Sequence, residues 1–402
     1  MEFSNLDRII FSVCTILIIF FWIFKDDFNS IFLILYMGIG LIIAILASEK
    51  AVGGMEILGK KLGLTPYVSG VLSSLASNFP ELVIGGFAIL AGQVEFAIAF
   101  IIIATGFNIL MLGLLVVIGN LKRKSVIIIP EEVLEIEVPI LRVAIVIVGS
   151  IFVLGIVLFV LEVYEVVGGV TPQIPILPYE ANVVMVLVYL FYLFFIIRHN
   201  IQMRKKMEPL EQSDNEILHP KSEISRQTLI FILVLAFTMI FFAGEMISSS
   251  VERFLITSTI TEFQLAFFIG AAASVPEHAI ALLAVRKEKE GIELGLGNLL
   301  AGSMQNLLLM TGLVSLFSFV GYILGIEGNL PNGIPLIHEI PGEHFEVPMP
   351  FLLVQFGFAW LLLFLIKSSM TDDRRLDIYE GFTITIAQIF VFLIFLRGIL
   401  GF

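Results

Sequence analysis

Two long apolar runs, each broken near its middle by a proline followed by a glutamate, limit what this chain can fold into. Residues 76–81 read Ala-Ser-Asn-Phe-Pro-Glu inside a run from about 66 to 91, and residues 272–277 read Ala-Ala-Ser-Val-Pro-Glu inside a run from about 261 to 285. Either run is long enough to span a bilayer. Proline has no amide hydrogen, so Pro80 and Pro276 leave the carbonyls of Ala76 and Ala272 without their helical donors. A broken helix is tolerated at membrane depth only where protein or a wet cavity satisfies the exposed backbone. An ionisable group there costs about 2.5–3.5 kcal/mol on insertion scales, which marks Glu81 and Glu277 as functional. A carboxylate, a freed carbonyl and small polar side chains together describe a cation site.

The two runs are copies of one another. Glu277 follows Glu81 by 196 residues, and the same offset links Pro80 to Pro276, Glu49 to Glu245 and Glu56 to Glu252. Four matches at one offset point to an internal duplication, and so long a period reads as two half-transporters, not a solenoid. Farther along the offset becomes 198, where Thr105-Gly106-Phe107-Asn108 answers Ser303-Met304-Gln305-Asn306. Two extra residues in the preceding loop of the second copy account for the change.

The rest of the chain reads as an all-α polytopic membrane protein. Mean hydropathy is +1.02, with 58% hydrophobic and 14% charged residues. No soluble domain is visible, and a formal charge of −12 gives no support to nucleic-acid binding. Cys14 is the single cysteine, which excludes an intrachain disulfide and a thiolate metal cluster. A first apolar run at about 9–24 reads as a retained helix, because no small-residue cleavage site follows it. Ten further spans are expected at about 31–48, 66–91, 95–119, 140–162, 181–198, 227–247, 261–285, 294–324, 350–367 and 380–399. With the N-terminus in the cytoplasm, twenty of the 23 Lys and Arg residues fall on the inner side and only Lys25, Arg253 and Arg397 on the outer. That asymmetry supports eleven spans, an inner N-terminus and an outer C-terminus in a cell membrane. Five helices per copy is an odd number, so the copies enter the membrane from opposite faces. The organisation expected is an N-terminal helix in 1–30, a first repeat at 31–198, a cytoplasmic linker at 199–226 and a second repeat at 227–402.

These residues resemble the calcium/cation antiporter superfamily, which includes sodium/calcium and proton/calcium exchangers. Pro80-Glu81 and Pro276-Glu277 are similar to the sodium branch. Asn78, the run Glu277-His278-Ala279, Lys287-Glu288-Lys289, Leu294-Gly295, Gly302-Ser303 and Gln305 are similar to the proton branch. The chain departs from the family where a glycine is replaced by Ala76 and Ala272, a threonine by Ser77 and Ala273, and a Gly-Ser pair by Thr105-Gly106. The sodium branch uses several of those hydroxyls as ligands, so their thinning favours protons over sodium as counter-ion. The resemblance implies alternating access to one ion site between the repeats. It also implies that calcium is cargo, with no resident cofactor and no enzymatic activity.

Calcium takes six to eight oxygens from carboxylates, carbonyls and water. Glu81 and Glu277 supply up to four; Asn78, Asn108, Asn306 and the carbonyls of Ala76 and Ala272 supply most of the rest, with Ser77, Ser274, Thr105 and Ser303 as weaker candidates. Two carboxylates neutralise one divalent ion, and are equally neutralised by two protons or two monovalent ions, which is the chemistry of exchange. The plainer reading of asparagine, serine and threonine in membrane helices is hydrogen bonding to neighbours. Glu49, Glu56, Glu245 and Glu252 read either as acids of an access funnel or as interfacial charges. His278 points about 100° away from Glu277 on a helix and reads as packing. The loop with His338, Glu339, Glu343, His344 and Glu346 has no ligand spacing and reads as a solvated acidic loop. A channel is the rival function, with a degenerate, non-transporting homologue behind it. The partners expected are inorganic cations and the lipid bilayer; oligomeric state is not encoded in any motif.

Overall fold

The computed structural model describes residues 12–13, 16, 30–123, 126–129, 131–163, 176–211, 225–258, 260–275, 278, 289–326, 329, 333–335, 338–340, 347–349, 351–372 and 374–400. Most of the span expected at 9–24, with Cys14, and also Pro276 and Glu277 lie outside the described residues. The helices are α1 (Ser30–Lys61), α2 (Pro66–Ser77), α3 (Phe79–Leu90), α4 (Val94–Arg123), α5 (Glu131–Val163), α6 (Tyr179–Glu211), α7 (Arg226–Thr257), α8 (Glu262–Ala273), α9 (Lys289–Met304), α10 (Thr311–Ile323), α11 (Phe351–Asp372) and α12 (Ile378–Leu400). A π-helical segment, Gln305–Met310, joins α9 to α10. Among the described residues eight helical segments are long and apolar enough to cross a membrane, and Glu262–Ala273 and Ile378–Ile394 are shorter apolar helices.

Several helices outrun the apolar stretches that announce them. Helix α1 continues to Lys61, past the expected end at 48, and α7 to Thr257, past 247. Helix α5 begins at Glu131 and carries Pro139 inside it, and α6 runs to Glu211, so the first half of the expected linker is helical. Hydropathy reports where the bilayer stops, whereas the backbone hydrogen-bond ladder continues into water. The outward faces of α5, α6, α7 and α12 expose Val146, Phe191, Phe231 and Ile386. Large apolar side chains outside and buried Ser, Asn and Glu inside are what a lipid solvent selects.

The two repeats pack as an inverted pair. Gly40 of α1 lies against Ala243, Met246 and Ile247 of α7, while Gly54 lies against Leu229 and Leu233, so α1 and α7 run antiparallel. Helices α5 and α11 do the same, with Gly149 against Trp360 and Gly357 against Phe152. The cross-contacts come in symmetric sets: α2 packs on α9 as α8 packs on α4, and α4 packs on α12 as the π segment and α10 pack on α6. Short antiparallel ribbons tie loops on the same side. Strand β1 (Ile127–Ile128) pairs with β6 (Arg375–Leu376), and β2 (Ile176–Pro178) pairs with β3 (Gly333–Pro335). A hairpin pairs β4 (His338–Ile340) with β5 (Val347–Met349); Glu343, His344 and Glu346 lie outside the described residues.

Candidate functional site

The half-helices α2 and α8 are built alike. Thr65 caps α2, its hydroxyl accepting the Val68 amide, with Pro66 in the first turn, where a missing N–H costs nothing. Thr261, 196 residues on, caps α8 through a capping box with Gln264. Helix α2 ends at Asn78 (φ −86°, ψ 0°) and α8 at Ser274 (φ −77°, ψ −4°). Around both residues the backbone bonds match: Asn78 N to Ser74 O at 2.9 Å and Leu82 N to Asn78 O at 3.3 Å; Ser274 N to Gly270 O at 3.2 Å and His278 N to Ser274 O at 3.3 Å. At Asn78 the break is therefore a one-residue hinge in the bridge region, without a loop, and Ser274 holds the same conformation.

Glu81 sits in the first turn of α3 and is fully buried. A carboxylate there is favoured by the helix dipole. Gly85, one turn on and on the same face, lies against Val314 of α10 and Ile101 of α4, so Glu81 lies along the seam between α4 and the segment leading into α10. Thr105 and Asn108 continue from Ile101 along α4; Asn306 stands in the π segment. π-Helical turns recur at functional sites because they re-aim side chains.

Hydrogen bonding separates the candidates into two kinds. The hydroxyls of Ser274, Thr105 and Ser303 donate to the carbonyls of Gly270, Ile101 and Leu299 at 2.8, 3.0 and 2.8 Å, and Ser77 donates to Ser74 O at 3.1 Å. Each hydroxyl hydrogen is thus satisfied within its own helix or half-helix, leaving only oxygen lone pairs to offer. Asn108 and Asn306 are fully buried, and in both the Oδ1 and the Nδ2 have no hydrogen-bond partner among the described residues. Two orphaned amides at equivalent positions of the two repeats ask for a ligand. Asn78 is held on one side: its Nδ2 donates to Gln305 Oε1 at 3.0 Å and to Gly302 O at 3.3 Å, while its Oδ1 has no partner among the described residues. Of the two alanine carbonyls, that of Ala272 accepts the Ser274 amide and so keeps one lone pair for a cation. Ala76 is fully buried at the last turn of α2.

Gln305 and Ser74 are the additions to the sequence-based set. Gln305 Oε1 accepts from both Asn78 and Ser74 (3.1 Å), bolting the break in the first repeat to the π segment of the second. The run Gly302-Ser303-x-Gln305 is visible in the sequence; its bond to Asn78 is not. His278 packs its ring against Phe107 at 6.2 Å between centroids, the packing role expected of it. Of the outlying acids, Glu245 accepts from Ser249 at 3.1 Å, and Glu49 is exposed.

A family model described as sodium/calcium exchanger protein matches residues 32–198 and 228–397. Among solved structures, the fold is similar to that of the H+/Ca2+ exchanger CAX, with a TM-score of 0.67 at 13% identity over 100% of this chain and 94% of that one. It is also similar to the sodium-calcium exchanger NCX_Mj soaked with 2.5 mM Na+ and 10 mM Sr2+, with a TM-score of 0.56 at 16% identity over 91% of this chain and 99% of that one. Among curated proteins no match is found.

Proposed function

The chain belongs to the sodium/calcium exchanger protein family, and we propose that it exchanges calcium, or a related divalent cation, for protons by alternating access. The ion binds near the midplane, between the repeats. The observation that carries this reading is the equivalence of the two breaks, at Asn78 and Ser274, together with the orphaned, fully buried amides of Asn108 and Asn306. Glu81 and Glu277 supply the charge; Asn78, Asn108 and Asn306 supply neutral oxygens; the carbonyls of Ala76 and Ala272 and the hydroxyls of Ser77, Ser274, Thr105 and Ser303 complete the shell. The protein needs no resident cofactor and performs no covalent chemistry. The functional units are the repeats at 31–198 and 227–402, a division supported by the matched symmetric packing of their helices.

Protons suit the site because two carboxylates that together balance one divalent ion are equally neutralised by two protons, which need no cage of hydroxyl oxygens. Sodium is the second reading. It is favoured by the two Pro-Glu pairs and by hydroxyl oxygens whose hydrogens are already used within their helices. Calcium flux in proteoliposomes, driven by a pH gradient in sodium-free buffer or by a sodium gradient at constant pH, decides between them. Flux under the pH gradient alone is expected. Flux that needs sodium and ignores pH selects the second reading, and single-channel current would replace exchange with a channel.

A further inference from the structure

A second buried acid lies well outside this site. Glu137, near the start of α5, is fully buried. One of its oxygens, Oε1, accepts hydrogen bonds from the hydroxyls of Tyr67, on the first turn of α2, and Tyr192, on α6. Both lone pairs of that oxygen are thereby used. Among the described residues its other oxygen, Oε2, has no hydrogen-bond partner, and neither does the hydroxyl of Tyr189, which is fully buried one turn before Tyr192, with its ring 5.5 Å from that of Tyr192. Tyr189 and Glu137 are close enough to interact electrostatically.

No basic side chain reaches Glu137 among the described residues. On α5 itself, Glu135 faces His199 of α6 at 3.9 Å, both partly exposed, and Arg142 is exposed. Helix α2 contributes Tyr67 alone. Helix α9 meets Tyr67 through Gly297, more than a turn beyond its charged start at Lys289, Glu290 and Glu293. Helix α11 brings Lys367 and Asp372 toward this end of α5, where Arg374 pairs with Glu131, and neither is a partner of Glu137. An ionised carboxylate buried without a cation is strongly unfavourable. A proton on Oε2 removes that charge, while Oε1 keeps the hydrogen bonds from Tyr67 and Tyr192.

We propose that Glu137 is a proton-binding site in its own right, separate from the exchange site, whose proton seals the junction of Tyr67, Tyr189 and Tyr192 and ties α2 to the α5–α6 pair. Tyr67 begins the half-helix that ends at Asn78, so loss of this proton loosens one wall of the exchange site. The junction lies at the basic, cytoplasmic side, and only that assignment of side rests on the topology given above.

Infrared spectroscopy of the purified full chain tests this through the C=O stretch of protonated carboxyls. At neutral pH, Glu137→Gln is expected to remove one such band, and Tyr192→Phe to keep it and shift it to higher frequency by removing a donor to its carbonyl oxygen. An unchanged band pattern in Glu137→Gln overturns the proposal. If Glu137→Gln does not fold, the Tyr192→Phe spectrum decides, and no shift there overturns it. In proteoliposomes, alkaline pH on the cytoplasmic side acts on the exchange site in both proteins, and it is expected to slow the wild type several-fold more than Glu137→Gln; equal slowing counts against the link to exchange. Glu81→Gln, by contrast, loses flux and keeps the Glu137 band, so failure of the exchange reading and failure of this one give different results.

Discussion

Asn78 and Ser274 stand 196 residues apart and hold nearly the same backbone conformation, φ −86°, ψ 0° against φ −77°, ψ −4°. Each accepts an amide from four residues on and donates to a carbonyl four residues back. The chemistry differs: an amide in the first repeat is matched by a hydroxyl in the second. The backbone keeps the two-fold while the side chains break it. In the proposed site the two repeats would therefore make unequal contributions to a divalent ion.

The two glutamates are expected to be indispensable. Glu81→Gln or Glu277→Gln keeps the side-chain shape and removes one ligand charge, leaving a divalent ion poorly neutralised in a low-dielectric site. Calcium flux should drop to background while the protein still inserts and purifies as a folded species. Near-normal flux in either variant would sink the shared site.

Asn108 and Asn306 give a sharper test, because stability and binding move in opposite directions. A buried amide with no partner costs about 1–3 kcal/mol. Asn108→Leu or Asn306→Leu should therefore raise thermal stability in calcium-free buffer by about 1 kcal/mol while abolishing the stabilisation that calcium confers on the wild type. Ser250→Ala is the control: its buried hydroxyl is satisfied by Met246 O outside the proposed site, and calcium-dependent stabilisation should survive. If the asparagine variants are destabilised and still respond to calcium, these amides are structural.

The sequence carries the duplication openly, since carboxylates and prolines at a fixed offset survive in plain view. It also carries the twelve-residue half-helices, through Thr65-Pro66 and Thr261-Glu262 at their starts. Where the helix breaks is less legible. Proline removes a donor for Ala76 and Ala272, yet the hinge residues are Asn78 and Ser274, each two positions before its proline. The Glu137 junction has no sequence signature: its partners lie 70 and 55 residues away on different helices, and only packing brings them together. The extra turns of α1, α6 and α7 were hidden for the opposite reason, being polar where hydropathy has already fallen.

Gln305 is a positioning residue on this geometry. Its Oε1 holds Asn78 Nδ2 and Ser74 Oγ, so Gln305→Leu leaves Asn78 with only the longer bond to Gly302 O. Loss of one such buried bond costs on the order of 1 kcal/mol. Apparent KM for calcium should rise about tenfold, which is 1.4 kcal/mol, with maximal flux much less affected. A fall in maximal flux at unchanged KM would place Gln305 in the conformational step, not in binding.

Sidedness follows from the antiparallel pairing of α1 with α7. The end of α1, with Lys60 and Lys61, shares a face with the start of α7 at Arg226. Counting helices through α4 and α6 brings Lys122, Arg123 and Arg198 to that same face, and the β1–β6 ribbon adds Arg374 and Arg375. The opposite face receives Arg253 and Arg397 and the β2–β3 ribbon. Basic residues concentrate on the cytoplasmic side, so the prediction is that the face holding Lys61 and Arg226 is inside. In a Cys14→Ser background, Val170→Cys and Pro335→Cys should react with an impermeant thiol reagent added to intact cells, and Gln212→Cys should react only after permeabilisation. Labelling of Gln212→Cys from outside would invert the molecule, and labelling of all three from one side would break the inverted-repeat plan itself.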